Sequence, residues 1–94
     1  ATTPDALALD VRTQEEFSGG HLAKAVRITW GSDDFESHVK KLDRKKPVLV
    51  YCRSGRRSSA ASAVLAKLGF ATIRNLDGGI VAWEKAGEPV VKSD

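Results

Sequence analysis

The residue best suited to covalent chemistry is Cys52, the only cysteine among the 94 residues. An apolar run, residues 47–51, precedes it, and a run of small and then aliphatic residues, 59–68, follows it. The first run is short, rich in valine and begins with a proline, which predicts a buried strand. The second repeats its aliphatic residues on one helical face, which predicts a helix that Gly69 ends. Cys52 is therefore expected where a strand enters a loop that feeds a helix.

The loop after Cys52 is rich in groups that favour negative charge. Backbone N–H groups in a tight loop, with the free N–H groups of a helix start, bind anions. Together with the charges of Arg53, Arg56 and Arg57, they bias a thiol towards thiolate. Gly55 can adopt backbone angles that other residues resist. The pattern predicts a nucleophilic sulfur beside a bound anion, provided that the thiol reaches solvent and points into this ring of amides.

This loop and four other short motifs resemble the single-domain rhodanese sulfurtransferases. The motifs, which extend over about residues 7 to 87, are Asp10-Val11-Arg12, Glu16-Phe17, Gly20-His21-Leu22, residues 52–58, and Leu76-Asp77-Gly78-Gly79 with Trp83. Each motif alone is weak, whereas their order and spacing together are specific. The resemblance implies transfer of a sulfane sulfur from thiosulfate or a similar donor to cyanide, a thiol or a protein cysteine. The sulfur would travel as a Cys52 persulfide, with no metal and no organic cofactor.

The resemblance also implies a role for each site residue. Cys52 is the nucleophile, and the residues that would bind the substrate and stabilise the persulfide are Arg53, Ser54, Gly55, Arg56, Arg57 and Ser58. Asp10, Arg12 and Glu16 would support the site structurally. Arg53 and Arg56 are expected to face solvent and attract the anionic donor. Arg57 is expected to pair with a carboxylate such as Glu16 or Asp10, which is the favoured interpretation. The alternative is that Arg57 contacts the substrate.

The rest of the chain alternates strands and helices. Strands are predicted within residues 6–11, 25–28, 47–51 and 70–76, and helices after Thr13, after Asp33, over 59–68 and over 79–86. Thr13 with Glu16, and Asp33 with Glu36, have capping-box spacing. Phe35, Val39 and Leu42 would share a face of the second helix, and Asp77 would cap the last.

This alternation predicts an α/β fold of the rhodanese-like, three-layer type, formed by residues 1–94 as a single domain. Its central sheet would be mostly parallel, with four to five strands and helices on both faces. Ligands bind such sheets beyond the carboxyl ends of the strands. The ends that carry Asp10 with Arg12, Cys52, and Asp77 with Gly78 are therefore expected to line one rim.

Composition narrows the possible partners and compartments. The formal charge is +3 and aromatic residues are 6% of the chain, so the basic run within residues 40–46 is interpreted as a solvated surface rather than a nucleic-acid site. No apolar run approaches the ~20 residues of a membrane helix. The expected partners are a small anionic sulfur donor and a protein sulfur acceptor, with the chain a monomer or weak homodimer. A lone cysteine leaves the compartment open: the cytoplasm is slightly favoured, with a processed periplasmic form as the alternative.

Two other function classes compete with sulfur transfer. Phosphatases and arsenate reductases resemble this site, but place five residues between the cysteine and the arginine, whereas four separate Cys52 from Arg57. A non-catalytic interaction domain is the second alternative, although such domains usually lose the cysteine. The sequence departs from the family at Lys24, where glycine is common, and at Trp30, a candidate flank of the cleft. His21 is interpreted as structural.

Overall fold

The computed structural model describes residues 7–76 and 78–92. Its elements are β1 (Leu7–Asp10), α1 (Gln14–Ser18), β2 (Val26–Arg27), α2 (Phe35–Val39), β3 (Val48–Tyr51), α3 (Arg56–Lys67), β4 (Ile73–Asn75) and α4 (Gly79–Lys85). The four strands form one sheet in the order β2-β1-β3-β4, and every neighbouring pair is parallel. The predicted parallel α/β sheet is confirmed. In the described part of the chain, no helix is long and apolar enough to cross a bilayer.

Helices cover both faces of the sheet, as predicted. Successive residues of a strand point to opposite faces. Val48 and Val50 of β3 pack with the buried residues of α2 and α3, whereas Leu49 and Tyr51 pack with Ile80 of α4. All four residues of β3 are buried, which explains why this strand has an uninterrupted apolar sequence. Cys52 continues the alternation onto the α3 face.

The first predicted capping box is confirmed. The Glu16 N–H donates to Thr13 Oγ1 at 3.2 Å, and the Thr13 N–H donates to Glu16 Oε1 at 3.1 Å. Two backbone donors that a helix start leaves unpaired are thereby satisfied. The five-residue helix α1 therefore has a defined start and orientation, and Glu16 is held at its first turn.

The second predicted capping box is wrong. Asp34, not Asp33, precedes α2, and its side chain makes no capping hydrogen bond. Its carboxylate instead lies 2.8 Å from His38 Nε2, one turn along the helix. Leu42 lies beyond the helix, because the amide of Leu42 bonds three residues back, to Val39, rather than four. It nevertheless packs against the core, so the apolar spacing indicated burial correctly but helix length wrongly.

Helix α3 begins at Arg56, three residues before its predicted start. Gly55 is its N-cap residue, with φ 109°, a left-handed conformation that glycine adopts without steric cost. This turn lets the Ser59 N–H reach the Gly55 carbonyl at 3.0 Å, so the loop passes directly into the helix. At the other end, Gly69 has φ 91° and ends the helix as predicted. The predicted cap at Asp77 lies outside the described residues.

Lys24 occupies a left-handed position, with φ 63°. A non-glycine residue there is strained by roughly 1–2 kcal/mol, which accounts for the glycine common in the family. We expect Lys24→Gly to raise the free energy of unfolding by about 0.5–1 kcal/mol, since glycine also loses more chain entropy on folding. Urea unfolding measures the change. Lys24→Ala is the control, because it keeps the strain, and equal stability of the two variants would contradict the prediction.

Candidate active site

Cys52 lies directly after β3 and points into the loop. Its Sγ accepts a hydrogen bond from the Gly55 N–H at 3.0 Å, as the predicted ring of amides requires. The expectation of a solvent-accessible thiol is wrong, because Cys52 is only 1% exposed. The reason is the strand alternation that directs Cys52, like Val50, into the core beside Ala61 of α3. The loop therefore both holds the sulfur and covers it.

The pKa of Cys52 is lower than that of an ordinary thiol. Burial acts to raise this pKa, but the nearby dipoles of the Ser58 hydroxyl and of the amides of Ser58, Gly55 and Ser54 outweigh it. The net lowering of the pKa therefore comes mainly from local dipoles, not from the arginine charges that the sequence suggested. These dipoles stabilise the thiolate, the form that acts as a nucleophile.

The amino-terminal turn of α4 holds the other side of the same loop. The Ile80 N–H donates to the Cys52 carbonyl at 2.9 Å, and the Val81 N–H donates to the Arg53 carbonyl at 3.2 Å. These bonds hold both carbonyls against the start of α4. A side chain on Gly79 would overlap the Arg53 carbonyl and lie 2.6 Å from the Cys52 carbonyl oxygen. Glycine at position 79 therefore permits the close approach that orients the loop.

Ser58 connects the loop to the end of β4. It is fully buried, and its Oγ lies 2.5 Å from Asn75 Oδ1 and 3.1 Å from the Gly55 carbonyl oxygen. The Asn75 amide nitrogen in turn donates to Ser59 Oγ at 2.8 Å. Because the Ser58 hydroxyl has one proton, it can donate to the sulfur only when turned away from these oxygens.

Arg57 pairs with Glu16, the first of the two carboxylates considered for it. The contact is bidentate, with Nη1 2.9 Å from Oε1 and Nη2 3.0 Å from Oε2. The Arg57 hydrogen bond is the main reason that the pKa of Glu16 falls from 4.5 to about 2, while partial burial opposes the shift. The pair ties the first turn of α3 to α1 across the site.

We expect this ion pair to make stability depend on pH in a defined window. The pKa of Glu16 is depressed in the folded protein, so the pair stabilises the fold above about pH 4.5. That contribution is lost as the pH falls towards about 2. Wild type should be more stable than Glu16→Gln by about 1–2 kcal/mol at neutral pH, a value reduced by solvent screening.

Urea unfolding of both proteins at several pH values measures this difference. Glutamine retains the capping hydrogen bond to Thr13, so the variant isolates the carboxylate charge. A difference between the two proteins that stays constant from neutral pH to about pH 2 would contradict the assignment.

Asp10 and Arg12 form a buried pair at the end of β1. Arg12 Nη2 lies 2.7 Å from Asp10 Oδ2 and donates to the Gly20 carbonyl at 2.6 Å. The guanidinium also lies 5.6 Å from the centre of the Tyr51 ring, and the Tyr51 hydroxyl accepts a hydrogen bond from the Leu22 N–H at 3.1 Å. Asp10 thus bonds to Arg12 rather than to Arg57, and the pair joins β1 to the turn after α1.

The remaining histidine and tryptophan candidates pack within the fold. His21 stacks on Phe17 with ring centres 3.7 Å apart, and its Nδ1 donates to the Phe17 carbonyl at 2.8 Å. Trp30 packs edge-on against Phe35 of the core cluster, so its role in the structure is packing. Over residues 7–76 and 78–92, no three His, Cys, Asp or Glu side chains are arranged to hold a metal ion.

Comparison with known proteins identifies the family of this chain. The family model for the Rhodanese-like domain matches residues 2–86. The chain belongs to the rhodanese-like family. The domain is similar to the sulfurtransferase of Allochromatium vinosum, with 35% identity over 91 residues that cover 97% of this chain and 83% of that protein. It is also similar to the thiosulfate sulfurtransferase GlpE of Coxiella burnetii, with 34% identity over 85 residues that cover 90% and 77%, respectively.

A solved structure extends the similarity to the fold. The crystal structure of a rhodanese-related protein from Thermoplasma volcanium superposes with a TM-score of 0.86 and 35% identity, covering 95% of this chain and 86% of that chain. The predicted rhodanese-like fold is thereby confirmed.

The rhodanese-like domain brings most of the predicted site residues together. Residues 52–58 form the loop around the sulfur, with Arg53, Ser54 and Arg56 exposed and Ser58 buried. Two contributors were missed by sequence reasoning, Asn75 and Gly79. Asn75 had a usable signal, because it ends a strand at the carboxyl edge of a parallel sheet. Gly79 was recognised as part of a motif, but its contact with the loop depends on tertiary packing.

Proposed function

We propose that this domain transfers sulfane sulfur through a persulfide on Cys52, with thiosulfate or a similar anion as the donor. The observation that supports this most directly is the 3.0 Å hydrogen bond that the Gly55 N–H donates to Cys52 Sγ. The loop that contains this bond lowers the pKa of the thiol. In addition, the amides of Arg56 and Arg57 donate to no backbone carbonyl among the described residues. Donors of this kind, already oriented, stabilise negative charge at low energetic cost.

In the first half-reaction, the Cys52 thiolate attacks the outer sulfur of thiosulfate. A bond forms between Cys52 Sγ and that sulfur, and the sulfur–sulfur bond of thiosulfate breaks with its electron pair leaving on sulfite. In the second, an acceptor such as cyanide attacks the terminal sulfur and restores the thiolate. Two separate half-reactions predict ping-pong kinetics. Because Cys52 is 1% exposed, the reaction requires the loop to open far enough for the donor to reach the sulfur.

The competing phosphatase function requires an arginine directed into the loop. Arg57, the arginine that would encircle a tetrahedral oxyanion, is instead held by both carboxylate oxygens of Glu16. The loop also has one residue fewer than those enzymes place before this arginine. Both observations favour a single sulfur atom over a phosphate group as the species the loop holds.

Mass spectrometry after thiosulfate treatment tests the proposal. We expect the intact protein to gain one sulfur atom, located on the peptide that contains Cys52, and to lose it to cyanide as thiocyanate. A parallel assay with a phosphate ester should show no turnover. Phosphate release without thiocyanate, or no gain of sulfur at all, would overturn the proposed function.

The exposed arginines of the loop are expected to act on the donor. Arg53→Ala/Arg56→Ala should reduce the rate constant for loading from thiosulfate by about tenfold, because favourable charge near a site raises the local concentration of an anion. The effect should weaken at high salt. The stability of the fold should change by less than about 0.5 kcal/mol, since both side chains are exposed.

Lys40→Ala/Lys41→Ala is the matched control, because it removes the same charge from exposed positions after α2. Stopped-flow loading at several salt concentrations compares the two variants. Equal loading rates in both would remove Arg53 and Arg56 from donor recruitment.

A further inference from the structure

A shallow cleft of about 430 Å³ lies between α1 and α4, beside the cysteine loop. Its floor includes Ile80 and Val81, its acidic rim carries Glu15 and Glu84, and Arg53 lies where the cleft meets the loop. Val81 is 39% exposed, an exposed apolar side chain in a concave surface. The cleft is much larger than thiosulfate or cyanide, so the binding of these small molecules does not account for its size.

The cleft is linked to the backbone of the cysteine loop. The amides of its floor residues Ile80 and Val81 donate to the carbonyls of Cys52 and Arg53. Arg53, which follows Cys52 in the chain, also lines the cleft, so a chain segment lying there would come against the start of the cysteine loop. Arg53 is exposed and can attract a thiolate at this end.

The available charge in the cleft is mostly negative. Glu16 is held by Arg57, and Arg12 by Asp10, so neither offers an open charge. Glu15 and Glu84 are exposed, and within the described ranges neither takes part in an ion pair. This acidic rim contrasts with the overall charge of +3. It is complementary to a cationic partner.

We propose that the sulfur acceptor is a cysteine-bearing segment of a partner protein with basic residues next to the cysteine, and that this segment docks in the α1–α4 cleft. The inference rests on the proposed function. The basic residues of the segment pair with Glu15 and Glu84, while the thiolate of its cysteine lies near Arg53. That thiolate attacks the terminal sulfur of the Cys52 persulfide, a new sulfur–sulfur bond forms, and the bond to Cys52 Sγ breaks. Cys52 leaves as a thiolate and the cysteine of the acceptor becomes the persulfide, so no oxidant is required.

Two synthetic peptides of equal length test this, one with a cysteine between lysines and the other with a cysteine between glutamates. The wild-type protein is first loaded with thiosulfate, and the loss of persulfide to each peptide is followed by mass spectrometry. We expect the lysine peptide to react at least about tenfold faster. In Glu15→Lys/Glu84→Lys the preference should disappear or invert, while transfer to 2-mercaptoethanol should stay within about threefold.

Asp33→Lys/Glu36→Lys is the matched control, because it makes the same charge change at exposed positions before and within α2, on the other face of the sheet. This control should keep the preference for the lysine peptide. Normal loading with no peptide preference, or equal loss of preference in both double variants, would overturn the docking site alone. Failure to load sulfur on Cys52 in wild type would overturn the proposed function and the docking site with it.

Discussion

Cys52→Ser is expected to abolish sulfur loading and to lower the rate of thiocyanate formation by at least about 10³-fold. A serine hydroxyl is not ionised near neutral pH and cannot form the sulfur–sulfur bond. The hydroxyl can still accept the hydrogen bond that Gly55 donates to Sγ. The fold should therefore persist, with a change in unfolding free energy of about 1 kcal/mol or less. Circular dichroism and urea unfolding measure the fold, and intact-protein mass spectrometry measures loading.

The pH dependence of wild-type loading provides an independent check on the same residue. Because the loop lowers the pKa of Cys52, the thiolate fraction rises with pH through a midpoint below that of a free thiol, about 8.5. Loading should rise with pH through that midpoint and then level off. Sulfur retained by Cys52→Ser, or a midpoint at or above that of a free thiol, would contradict the assigned role of the loop.

Gly79→Ala is expected to have the second largest effect, because it acts on both stability and activity. Gly79 has φ 63°, and an added Cβ would overlap the carbonyl of Arg53. A backbone carbonyl cannot rotate away as the end of a flexible side chain can, so α4 or the loop must move. We expect a loss of about 3–5 kcal/mol in the free energy of unfolding, from overpacking together with strain at positive φ.

The activity of the same variant should fall by about 10²–10³-fold under conditions where it remains folded. Movement of α4 breaks the bonds from the Ile80 and Val81 amides that orient the loop carbonyls, and so misplaces the loop amides around Sγ. Loading at low temperature, after circular dichroism has shown a folded protein, measures this effect separately from stability.

Gly87→Ala is the matched control for strain without overlap. Gly87 also has positive φ, 81°, but nothing lies within 4 Å of an added Cβ. This variant should lower the free energy of unfolding by about 1 kcal/mol and leave sulfur loading unchanged. Similar losses of activity in the two variants would show that α4 does not orient the loop in the way described.

The sequence by itself determined the buried strand that ends at Cys52, the start of α1 and the end of α3. Each of these depends on residues close together in the chain: the valine-rich run before Cys52, the capping pair Thr13 and Glu16, and the turn at Gly69. Local backbone preferences and burial on both faces of a central strand are visible in such short patterns. The sequence predicts the start of α3 three residues too late. Gly55 begins this helix with a left-handed turn, which the helical spacing of apolar residues does not reveal.

Only the tertiary structure decided how the sulfur is held. The burial of Cys52, the pairing of Arg57 with Glu16, 41 residues earlier in the chain, and the bond between Ser58 and Asn75 all join distant segments. Gly79 acquires its importance from the approach of α4 to the loop. The physical reason is that several partners of compatible charge or size exist for each of these residues. The packing of helices on both faces of the sheet selects one.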